Sequence, residues 1–529
     1  MTQHLSGILP ETFLAQLHKQ LGGDFFAFLK AYEQPPWRGV RMNLLKTLPP
    51  SLPEQKERGQ GEFPLAGVLP ADGRRLAWAR THPGTGADAP RSSSFDLSSF
   101  NLHPVPWCTE GRAFRDDLRL GQTMAYLAGL FYLQEPSAMS SAAMLDAQPG
   151  ERVLDLCAAP GGKTTQIAGA MQGQGLLVAN DASPTRIQAL VRNMERAGVR
   201  NAIVTTEQPR KLAERFPDFF DRVLVDAPCS GEGMFRRDMD VVKAYTANKP
   251  EACAAIQLDI LRHAATMVRP GGRLVYSTCT FNTVENEGTI ERFLAAQADA
   301  GDAFTLVDAK RIWPHKDIGE GHFVAILTRS AANDAAMADA IPTTTKNTTP
   351  DAALLASFKS FCNAYLTHDT AHRMLRGTMV SHANHLYIQP QPTDLRGLRV
   401  TRAGWHMGEV SKGATKSGAI GTPRWQSSNA TRTPTMPEGR FTPSQGLAMG
   451  LRLTDARYVA HLDEDDAWRY IRGESLDTDD LTLIHDGQPI TKSPADKPWV
   501  LVGHDGHPLG WARWVQGRLK NQLPTGWVR

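Results

Sequence analysis

The sequence predicts an α/β fold: a Rossmann-like core of strands alternating with helices, between a mixed α+β leader and a β-rich C-terminal module. Three observations support this prediction. Apolar runs alternate with helical patterns between residues 116 and 330. A glycine-rich turn follows the first of these runs, in VLDLCAAPGGKTT (153–165). Acidic residues and cysteines come directly after the later runs, where a sheet of this class binds its ligands.

The bulk composition is that of a globular enzyme. The 529 residues are 41% hydrophobic and 21% charged, with a net charge of +3, so a sizeable core is expected. The six cysteines show no CxxC spacing, which argues against a zinc cluster or a disulfide framework, and we expect no metal. Free thiols suit a reducing cytoplasm. Neither a signal peptide nor an apolar run long enough for a membrane span is predicted.

The composition divides the chain into five segments. Two insertions rich in glycine, proline and serine, 54–97 and 411–439, are typical of surface loops. The segments are a leader domain (1–115), the core domain (116–330), a linker of low complexity (331–350), a first C-terminal domain (351–455) and a small β-rich module (456–529).

The core pattern predicts a parallel sheet covered by helices on both faces. Helices are predicted over GKTTQIAGAM (162–171) and SPTRIQALVRNMERAG (183–198). Strands are predicted over ERVLDLC (151–157), GLLVAND (175–181), NAIVTT (201–206), DRVLVDAP (221–228), GGRLVYSTCT (271–280) and HFVAILTRS (322–330). Five side chains lie at or just past strand ends and therefore predict one shared site: Asp155, Asp181, Asp226, Cys229 and Cys279.

The glycine-rich turn indicates a cofactor with a ribose. Glycine allows the backbone to approach a ligand closely, and the next helix directs its first N–H groups toward it. A P-loop would need a glycine where Cys157 stands, so that interpretation fails. Asp181, at the end of the second strand, is placed to bond ribose hydroxyls. The alternative is a purely structural strand–helix turn.

The two cysteines beyond strand ends indicate covalent chemistry on a pyrimidine. A thiolate that adds to carbon 6 of cytosine makes carbon 5 nucleophilic enough to attack a methyl group. A base must then remove the carbon 5 proton before the thiolate leaves. Asp226, near Cys229 in sequence, is placed to stabilise the protonated ring. This chemistry allows either Cys229 or Cys279 to be the nucleophile, whereas Cys253 and Cys362 are interpreted as packing residues.

Several segments together resemble the motif set of the Nop/Sun family of RNA (cytosine-5) methyltransferases. The core segments are LDLCAAPGGKTTQ, NDASPTRIQAL, DRVLVDAPCSGEGMFRRD and GGRLVYSTCTFNTVENE. RMNLLK (41–46) and YLQEPSAM (132–139) are similar to motifs that precede the family's cofactor strand. RFTPSQGLA (440–448), YIRGE (470–474) and PLGWAR…GRLKNQLP (508–524) resemble the extension of bacterial members that methylate small-subunit ribosomal RNA, which includes an RNA-binding module related to the PUA fold.

The resemblance implies an S-adenosylmethionine-dependent core and a PUA-like module at 456–529. It implies that Cys279 is the nucleophile and that Cys229 assists release, although DNA cytosine methylases use the cysteine of the PC motif as nucleophile. Many members carry an aspartate near the adenine, where we favour Gln208 over Glu207 by its spacing from Asp226. The residues expected to hold the cofactor are Cys157, Ala158, Ala159, Pro160, Gly161, Gly162, Lys163, Asp181, Gln208 and Asp226.

The expected function is methylation of cytosine carbon 5 in RNA by a monomer, with 16S ribosomal RNA as the substrate, naked or in the small subunit. The target base would be flipped from its stack. The stretch 396–452 has nine Lys or Arg against two acidic residues, and with Arg518 and Lys520 it is expected to contact phosphates. Trp511 and Trp514 are expected either to pack in the core or to stack on bases.

Three alternatives remain at this point. The substrate can be transfer RNA or another ribosomal RNA. The chain can be a methyltransferase that attacks a nitrogen or a ribose oxygen, and such an enzyme needs no thiol. It can also be an RNA-binding assembly factor that keeps the methyltransferase fold without catalysis.

Overall fold

A computed structural model describes most of the chain, as two compact units. The first unit comprises Met1–Thr343 and Leu395–Arg402, and the second comprises Thr344–Asp394 and Ala403–Arg529. The insertions predicted at 54–97 and 411–439, and nearly all of the predicted linker, lie outside the described residues. The described residues are 9–47, 101–246, 248–299, 304–331, 350–382, 384–410, 441–492, 494 and 497–529.

An eight-stranded mixed sheet forms the centre of the first unit. Its five middle strands are parallel, and the outer pairings at both edges are antiparallel. In spatial order the strands are Phe304–Ile312, His322–Arg329, Val268–Thr278, Phe220–Asp226, Arg152–Asp155, Leu176–Asn180, Ala202–Thr205 and Val400–Arg402.

Helices cover both faces of this sheet. Leu154 and Val223 belong to one buried apolar cluster, and their neighbours Val153 and Leu224 belong to another. Successive side chains of a strand point to opposite faces, so each face has its own core. The helices that follow the leader are Ser140–Leu145, Gly162–Ala170, Ile187–Ala197, Pro209–Arg215, Met239–Lys243, Lys249–Met267 and Glu287–Asp299.

The sheet differs from the predicted parallel sheet at its edges. HFVAILTRS forms the strand His322–Arg329, but it runs antiparallel to its neighbour Val268–Thr278. Two edge strands were not predicted at all: Phe304–Ile312, whose side chains are mostly exposed, and the short Val400–Arg402. The prediction was wrong here because an exposed edge strand does not need the apolar run that marks a buried one.

The leader forms a four-stranded antiparallel sheet with short helices. Its last strand, Phe131–Leu133, comes from beyond residue 115, where the sequence placed the end of the leader. The strands in spatial order are His103–Val105, Cys108–Phe114, Arg38–Met42 and Phe131–Leu133. The helices are Glu11–Leu21, Phe25–Tyr32, Leu44–Thr47 and Met124–Leu127.

The second unit contains two sheets. A four-stranded sheet has the order Thr378–His382, His385–Gln389, Trp405–Val410 and Phe441–Pro443. A seven-stranded sheet has the order Leu476–Asp477, Arg518–Asn521, His507–Val515, Trp499–His504, Tyr458–Leu462, Thr482–His485 and Gln488–Pro489. The helices are Ala352–Tyr365, His368–Leu375, Gln445–Gly450 and Glu464–Ile471.

Two tryptophans of the seven-stranded sheet are core residues. Trp511 is 2% exposed and Trp514 is 1% exposed. The Trp511 indole Nε1 donates a hydrogen bond to the Ser444 carbonyl oxygen at 3.0 Å. Of the two roles that the sequence left open, packing is therefore confirmed, and stacking on RNA bases is wrong for both residues.

The cysteines outside the predicted pair have the surroundings of packing residues. All six cysteines are free thiols. Burial raises the pKa of Cys108 and Cys362 to about 12 each, and that of Cys253 to about 11. Within the described ranges, no three His, Cys, Asp or Glu side chains are grouped so as to hold a metal ion, and no helix has both the length and the apolarity to cross a membrane.

Candidate active site

One glycine shapes the turn between the strand Arg152–Asp155 and the helix Gly162–Ala170. Gly161 has φ of 107°, in the left-handed region that residues with a side chain rarely adopt. A Cβ at this position would lie 3.0 Å from the Leu190 side chain. The turn therefore packs its bare backbone against a neighbouring helix, while the first N–H groups of the helix that follows lack partners within that helix.

Asp181 fixes the turn from the side of the next strand. Its Oδ2 accepts a hydrogen bond from the Ala159 backbone N–H at 3.1 Å, and its Oδ1 accepts one from the Ser183 N–H at 2.9 Å. The Arg186 guanidinium lies 3.4 Å from Oδ2. The Asp181 side chain is only 4% exposed, so a ribose hydroxyl would have to use a remaining lone pair of this carboxylate.

The leader is attached to the same turn through a buried arginine. Arg41 donates to the Gly162 carbonyl oxygen and to Thr165 Oγ1, both at 2.8 Å, and to Gln134 Oε1 at 2.9 Å. Arg41 belongs to RMNLLK, and Gln134 belongs to YLQEPSAM. These two motifs thus support the beginning of the helix that follows the glycine turn.

Asp226 lies at the centre of a polar cluster. Its Oδ2 is 2.8 Å from Lys163 Nζ, and its Oδ1 accepts a hydrogen bond from Ser277 Oγ at 2.8 Å. The His322 imidazole lies 3.7 Å from Oδ1. Burial is the largest single influence and raises the pKa of Asp226, but the Lys163 ammonium and the neighbouring His322 imidazole together outweigh burial and hold that pKa below its ordinary range. Lys163 and Asp226 therefore form a charged pair at neutral pH.

The two cysteine sulfurs are adjacent. Cys229 follows the strand Phe220–Asp226, and Cys279 follows the neighbouring parallel strand Val268–Thr278. Their Sγ atoms are 3.2 Å apart. The hydrogen bond to Cys279, together with burial, raises the pKa of Cys229 well above its ordinary value. Cys229 is thus a protonated thiol at neutral pH, and either sulfur can be the donor in this contact.

Two fully buried carboxylates join the cysteine loops. Glu232, on the first loop, accepts hydrogen bonds from the backbone N–H groups of Phe281 and Asn282 at 2.8 and 2.9 Å. Glu285, on the second loop, accepts one from the Ser230 N–H at 3.0 Å. The Asn282 amide donates to both carboxylates, at 3.1 and 2.7 Å. Hydrogen bonds donated by each cysteine loop to a carboxylate on the other therefore fix the relative position of the two sulfurs.

Asp155 is a buried acid beneath the turn. Its side chain is 0% exposed, and its Oδ2 accepts a hydrogen bond from Thr164 Oγ1 at 2.7 Å. Its Oδ1 has no partner among the described residues. Burial raises the pKa of Asp155 to about 7, so this acid titrates near neutrality.

The adenine contact predicted from the sequence falls on an exposed residue. Gln208 is exposed and directly precedes the helix Pro209–Arg215. Its neighbour Glu207 is buried, and its carboxylate accepts a hydrogen bond from the Arg399 backbone N–H at 2.6 Å. The remaining predicted residues lie at or just past the carboxyl ends of neighbouring parallel strands: 157–163, Asp181, Asp226, Cys229 and Cys279.

Part of the basic stretch at 396–452 is engaged within the protein. Arg399 Nη2 lies 3.2 Å from Glu207, and Arg402 Nε lies 3.2 Å from Glu195. Arg452 lies 3.3 Å from Asp455. The prediction that this stretch contacts phosphates stays a prediction, and these three arginines also neutralise nearby carboxylates. The lysines and arginines at 412–440 lie outside the described residues.

Several residues of the site were not predicted from the sequence. Arg41 could have been predicted, because it is the first residue of the motif RMNLLK. Ser277 and Glu285 flank the second cysteine in STCTFNTVENE, but nothing in that segment indicates which atoms they bond. His322 carries no signal, because only the antiparallel pairing of its strand brings it beside Asp226.

Comparisons with known proteins agree with these features. Four family models match. They are "16S rRNA methyltransferase RsmB/F" at 142–328, "N-terminal domain of 16S rRNA methyltransferase RsmF" at 87–136, "RsmF rRNA methyltransferase first C-terminal domain" at 360–414 and "Methyltransferase RsmF PUA domain" at 457–529.

Two similar proteins match this chain over nearly its whole length, and a solved structure matches part of it. Ribosomal RNA small subunit methyltransferase F of Klebsiella pneumoniae (strain 342) is 32% identical, over 98% of this chain and 96% of its own. The protein of the same name from Cronobacter sakazakii (strain ATCC BAA-894) is 30% identical, over 100% and 98%. A solved methyltransferase homolog protein from Pyrococcus horikoshii is 27% identical and covers 60% of this chain and 93% of its own, with a TM-score of 0.44. The two full-length relatives show that this chain belongs to the family of ribosomal RNA small subunit methyltransferase F.

Proposed function

We propose that this protein transfers the methyl group of S-adenosylmethionine to carbon 5 of a cytosine in 16S ribosomal RNA, through a covalent cysteine–pyrimidine intermediate. The observation that supports the covalent route is the pair of sulfurs 3.2 Å apart, beside the Lys163–Asp226 ion pair. An enzyme that methylates a nitrogen or a ribose oxygen has no use for two adjacent thiols, because those atoms are nucleophiles already.

The residues of the glycine turn fit a cofactor with a ribose and a carboxylate. The first N–H groups of the helix Gly162–Ala170 supply anion binding, and the carboxylate of Asp181 supplies hydroxyl binding. Gly161 lets the turn pack closely on the neighbouring helix. We assign cofactor binding to 157–163, Asp181 and Asp226, with Gln208 at the adenine. When bound, S-adenosylmethionine supplies an electrophilic methyl group.

Cys279 is assigned as the nucleophile. Its thiolate adds to carbon 6 of the flipped base, and the electron pair of the carbon 5–carbon 6 double bond becomes available at carbon 5. That pair would form the new bond to the methyl group, while the methyl–sulfur bond of the sulfonium would break and leave a neutral thioether. Lys163 keeps Asp226 charged, and this carboxylate stabilises the protonated ring. After a base removes the carbon 5 proton, the double bond re-forms and the carbon–sulfur bond breaks. The protonated Cys229 then donates a hydrogen bond or its proton to the departing sulfur.

RNA is the macromolecular partner in this proposal. The leader and the PUA-like module would hold the RNA, and the core would receive the flipped base. We assign the protein to the cytoplasm, because unpaired thiol chemistry requires a reducing compartment. We also infer a monomer, because all residues assigned to cofactor binding and chemistry come from one unit of one chain.

Bisulfite sequencing of 16S ribosomal RNA from cells with and without this protein tests the proposal. At least one cytosine should be protected from conversion only when the protein is present, and a chain with Cys279→Ala should not restore protection. Identical bisulfite patterns, with methyl label appearing in transfer RNA instead, would move the activity to the alternative substrate. Methyl label on a nitrogen or a ribose would reject cytosine-5 chemistry.

A further inference from the structure

His322 is a buried histidine without a hydrogen-bond partner, next to the centre of the site. It is the first residue of the strand His322–Arg329, and its side chain is 2% exposed. Neither ring nitrogen has a partner among the described residues. Its Nε2 lies 3.7 Å from Asp226 Oδ1, which is too long for a hydrogen bond. Leaving a buried polar group unpaired is costly, so an unpaired one in a binding site indicates that a ligand completes it.

The pairing of the strands puts His322 on the same face as the groups that do the chemistry. Val324 pairs with Ser277, and Ser277 pairs with Asp226 on the next strand. Directly paired residues share a face, and so do residues two apart in one strand. His322 therefore lies on the face of the sheet that presents Asp226 at its carboxyl edge.

The backbone before His322 also approaches the nucleophile. A Cβ built on Gly233 would lie 2.9 Å from the carbonyl oxygens of both Cys279 and Gly321. The residue that precedes the histidine is thus a close neighbour of the residue assigned as nucleophile. The two backbones are therefore close enough that we expect a base attached to the Cys279 sulfur to lie near the His322 ring.

Two other polar groups around Asp226 are already engaged. Lys163 and Ser277 both bond its carboxylate, whereas neither ring nitrogen of His322 has a hydrogen-bond partner among the described residues. Enzymes that flip a base read it by hydrogen bonds to its polar edge. Resting on the proposed function, we infer that His322 hydrogen-bonds the edge of the target cytosine beside Asp226 and is a further catalytic residue of this reaction.

Single-turnover methyl transfer to small-subunit ribosomal RNA, supplied both as a naked transcript and as assembled subunits, tests this inference. His322→Phe keeps a flat ring but loses both nitrogens. We expect its rate at saturating RNA to fall about tenfold to a hundredfold, the loss typical of a hydrogen bond made to the reacting group. The affinity for S-adenosylmethionine, measured by calorimetry, should not change. His322→Asn retains a donor and an acceptor and should recover part of the rate.

His315→Phe is the matched control. His315 also has two unpaired ring nitrogens, but it packs against Phe28 and Trp313, with ring centroids 5.8 and 5.9 Å away. This variant should methylate at the unaltered rate. A methylation rate for His322→Phe within twofold of that of the unaltered chain would overturn the inference. A tenfold loss of cofactor affinity would also overturn it, because the imidazole would then bind the cofactor and not the base. Absence of methyl transfer by the unaltered chain would instead reject the proposed function.

Discussion

The two sulfurs of the site differ in their surroundings although they are only 3.2 Å apart. Cys229 is held protonated by its neighbour and by burial, since both raise its pKa. A protonated thiol cannot attack carbon 6, but it can assist the departure of another sulfur. In the proposed division of roles, Cys279 attacks and Cys229 assists release.

Replacing each cysteine separately should therefore give different products. Cys279→Ala should lose both turnover and covalent adduct, because no nucleophile remains. Cys229→Ala should still attack but release slowly, so a protein–RNA species that requires cofactor should accumulate on denaturing gels. Cys253→Ala, on the helix Lys249–Met267, is the control and should behave as the unaltered chain. If Cys279→Ala traps RNA instead, the roles are reversed; if both variants stay active, the route is not covalent.

Asp155 should make stability depend on pH near neutrality. Burial raises its pKa from 3.8 to about 7, so the folded chain keeps a proton there that the unfolded chain has released. The contribution of this group to the free energy of unfolding is complete at pH values below its unfolded-state pKa. It is lost as pH rises through about 7, the pKa in the folded state. Asp155→Asn can still accept the hydrogen bond of Thr164, and it removes the titration.

Thermal melting of both cofactor-free proteins measures this effect. The melting temperature of Asp155→Asn, relative to that of the unaltered chain, should increase from pH 5 to pH 7 and then level off. The corresponding free energy difference is on the order of a few kcal/mol. If the melting temperatures of the two proteins change in parallel between pH 5 and pH 7, then Asp155 is charged in the folded state and is stabilised in another way.

The sequence was informative about residues that stand in contiguous motifs. The glycine turn, Asp181 and both cysteines follow predicted apolar strands, and strand ends of a parallel sheet share one edge. Their roles stay predictions. Glu232 and His322 could not be predicted, since their importance depends on atoms distant in sequence: the N–H of Phe281 for the first and the carboxylate of Asp226 for the second.

At the scale of elements, the most unexpected one is the strand Val400–Arg402. It lies in the sequence among segments of the second unit, yet it pairs with Ala202–Thr205 of the first. The Arg399 N–H donates to the buried Glu207 at 2.6 Å, and Thr206 N–H donates to the Arg399 carbonyl oxygen at 2.9 Å. Three residues with half-buried side chains carry no periodicity that can be recognised, which is why the sequence did not predict this strand.

Disrupting this strand should destabilise the first unit. Arg399→Pro removes both the backbone N–H donor and the guanidinium. The buried carboxylate of Glu207 then lacks both of these partners. A hydrogen bond to a charged group contributes about 1.5–3 kcal/mol, so the midpoint of chemical unfolding should fall. Arg399→Ala keeps the N–H and should cost less, because the Arg399 side chain is 61% exposed. Equal midpoints for the two variants would show that the backbone bond does not matter.

This strand also changes the expected result of truncation. A chain that ends near Ser330 retains the turn and both cysteines but lacks the second unit, so it is the simplest variant for asking whether that unit contributes RNA affinity. It also lacks Val400–Arg402, so the strand Ala202–Thr205 has an open edge. Point substitutions in the second unit therefore separate RNA binding from folding better than truncation does.

For the whole molecule, RNA affinity is expected to come in part from the second unit. Arg518 and Lys520 are exposed on the strand Arg518–Asn521, although Arg518 also lies 2.9 Å from Asp477. Each phosphate contact contributes about one unit to the salt dependence of binding.

Replacing both residues by alanine should weaken binding to ribosomal RNA and reduce the slope of log affinity against log salt by about two, without changing cofactor affinity. Lys359→Ala, an exposed substitution on the helix Ala352–Tyr365, is the matched control and should leave the slope unchanged. An unaltered slope in the double variant would place the phosphate contacts elsewhere.

The strand Val400–Arg402 has a consequence for synthesis on the ribosome. Its partner ends at Thr205, 195 residues before Val400. At about 5–20 residues per second, the edge of Ala202–Thr205 waits roughly 10–40 s for its last neighbour. During that interval the open edge is a template for pairing with another nascent chain. Chains on one polysome are thus most exposed to mutual aggregation before translation reaches residue 402.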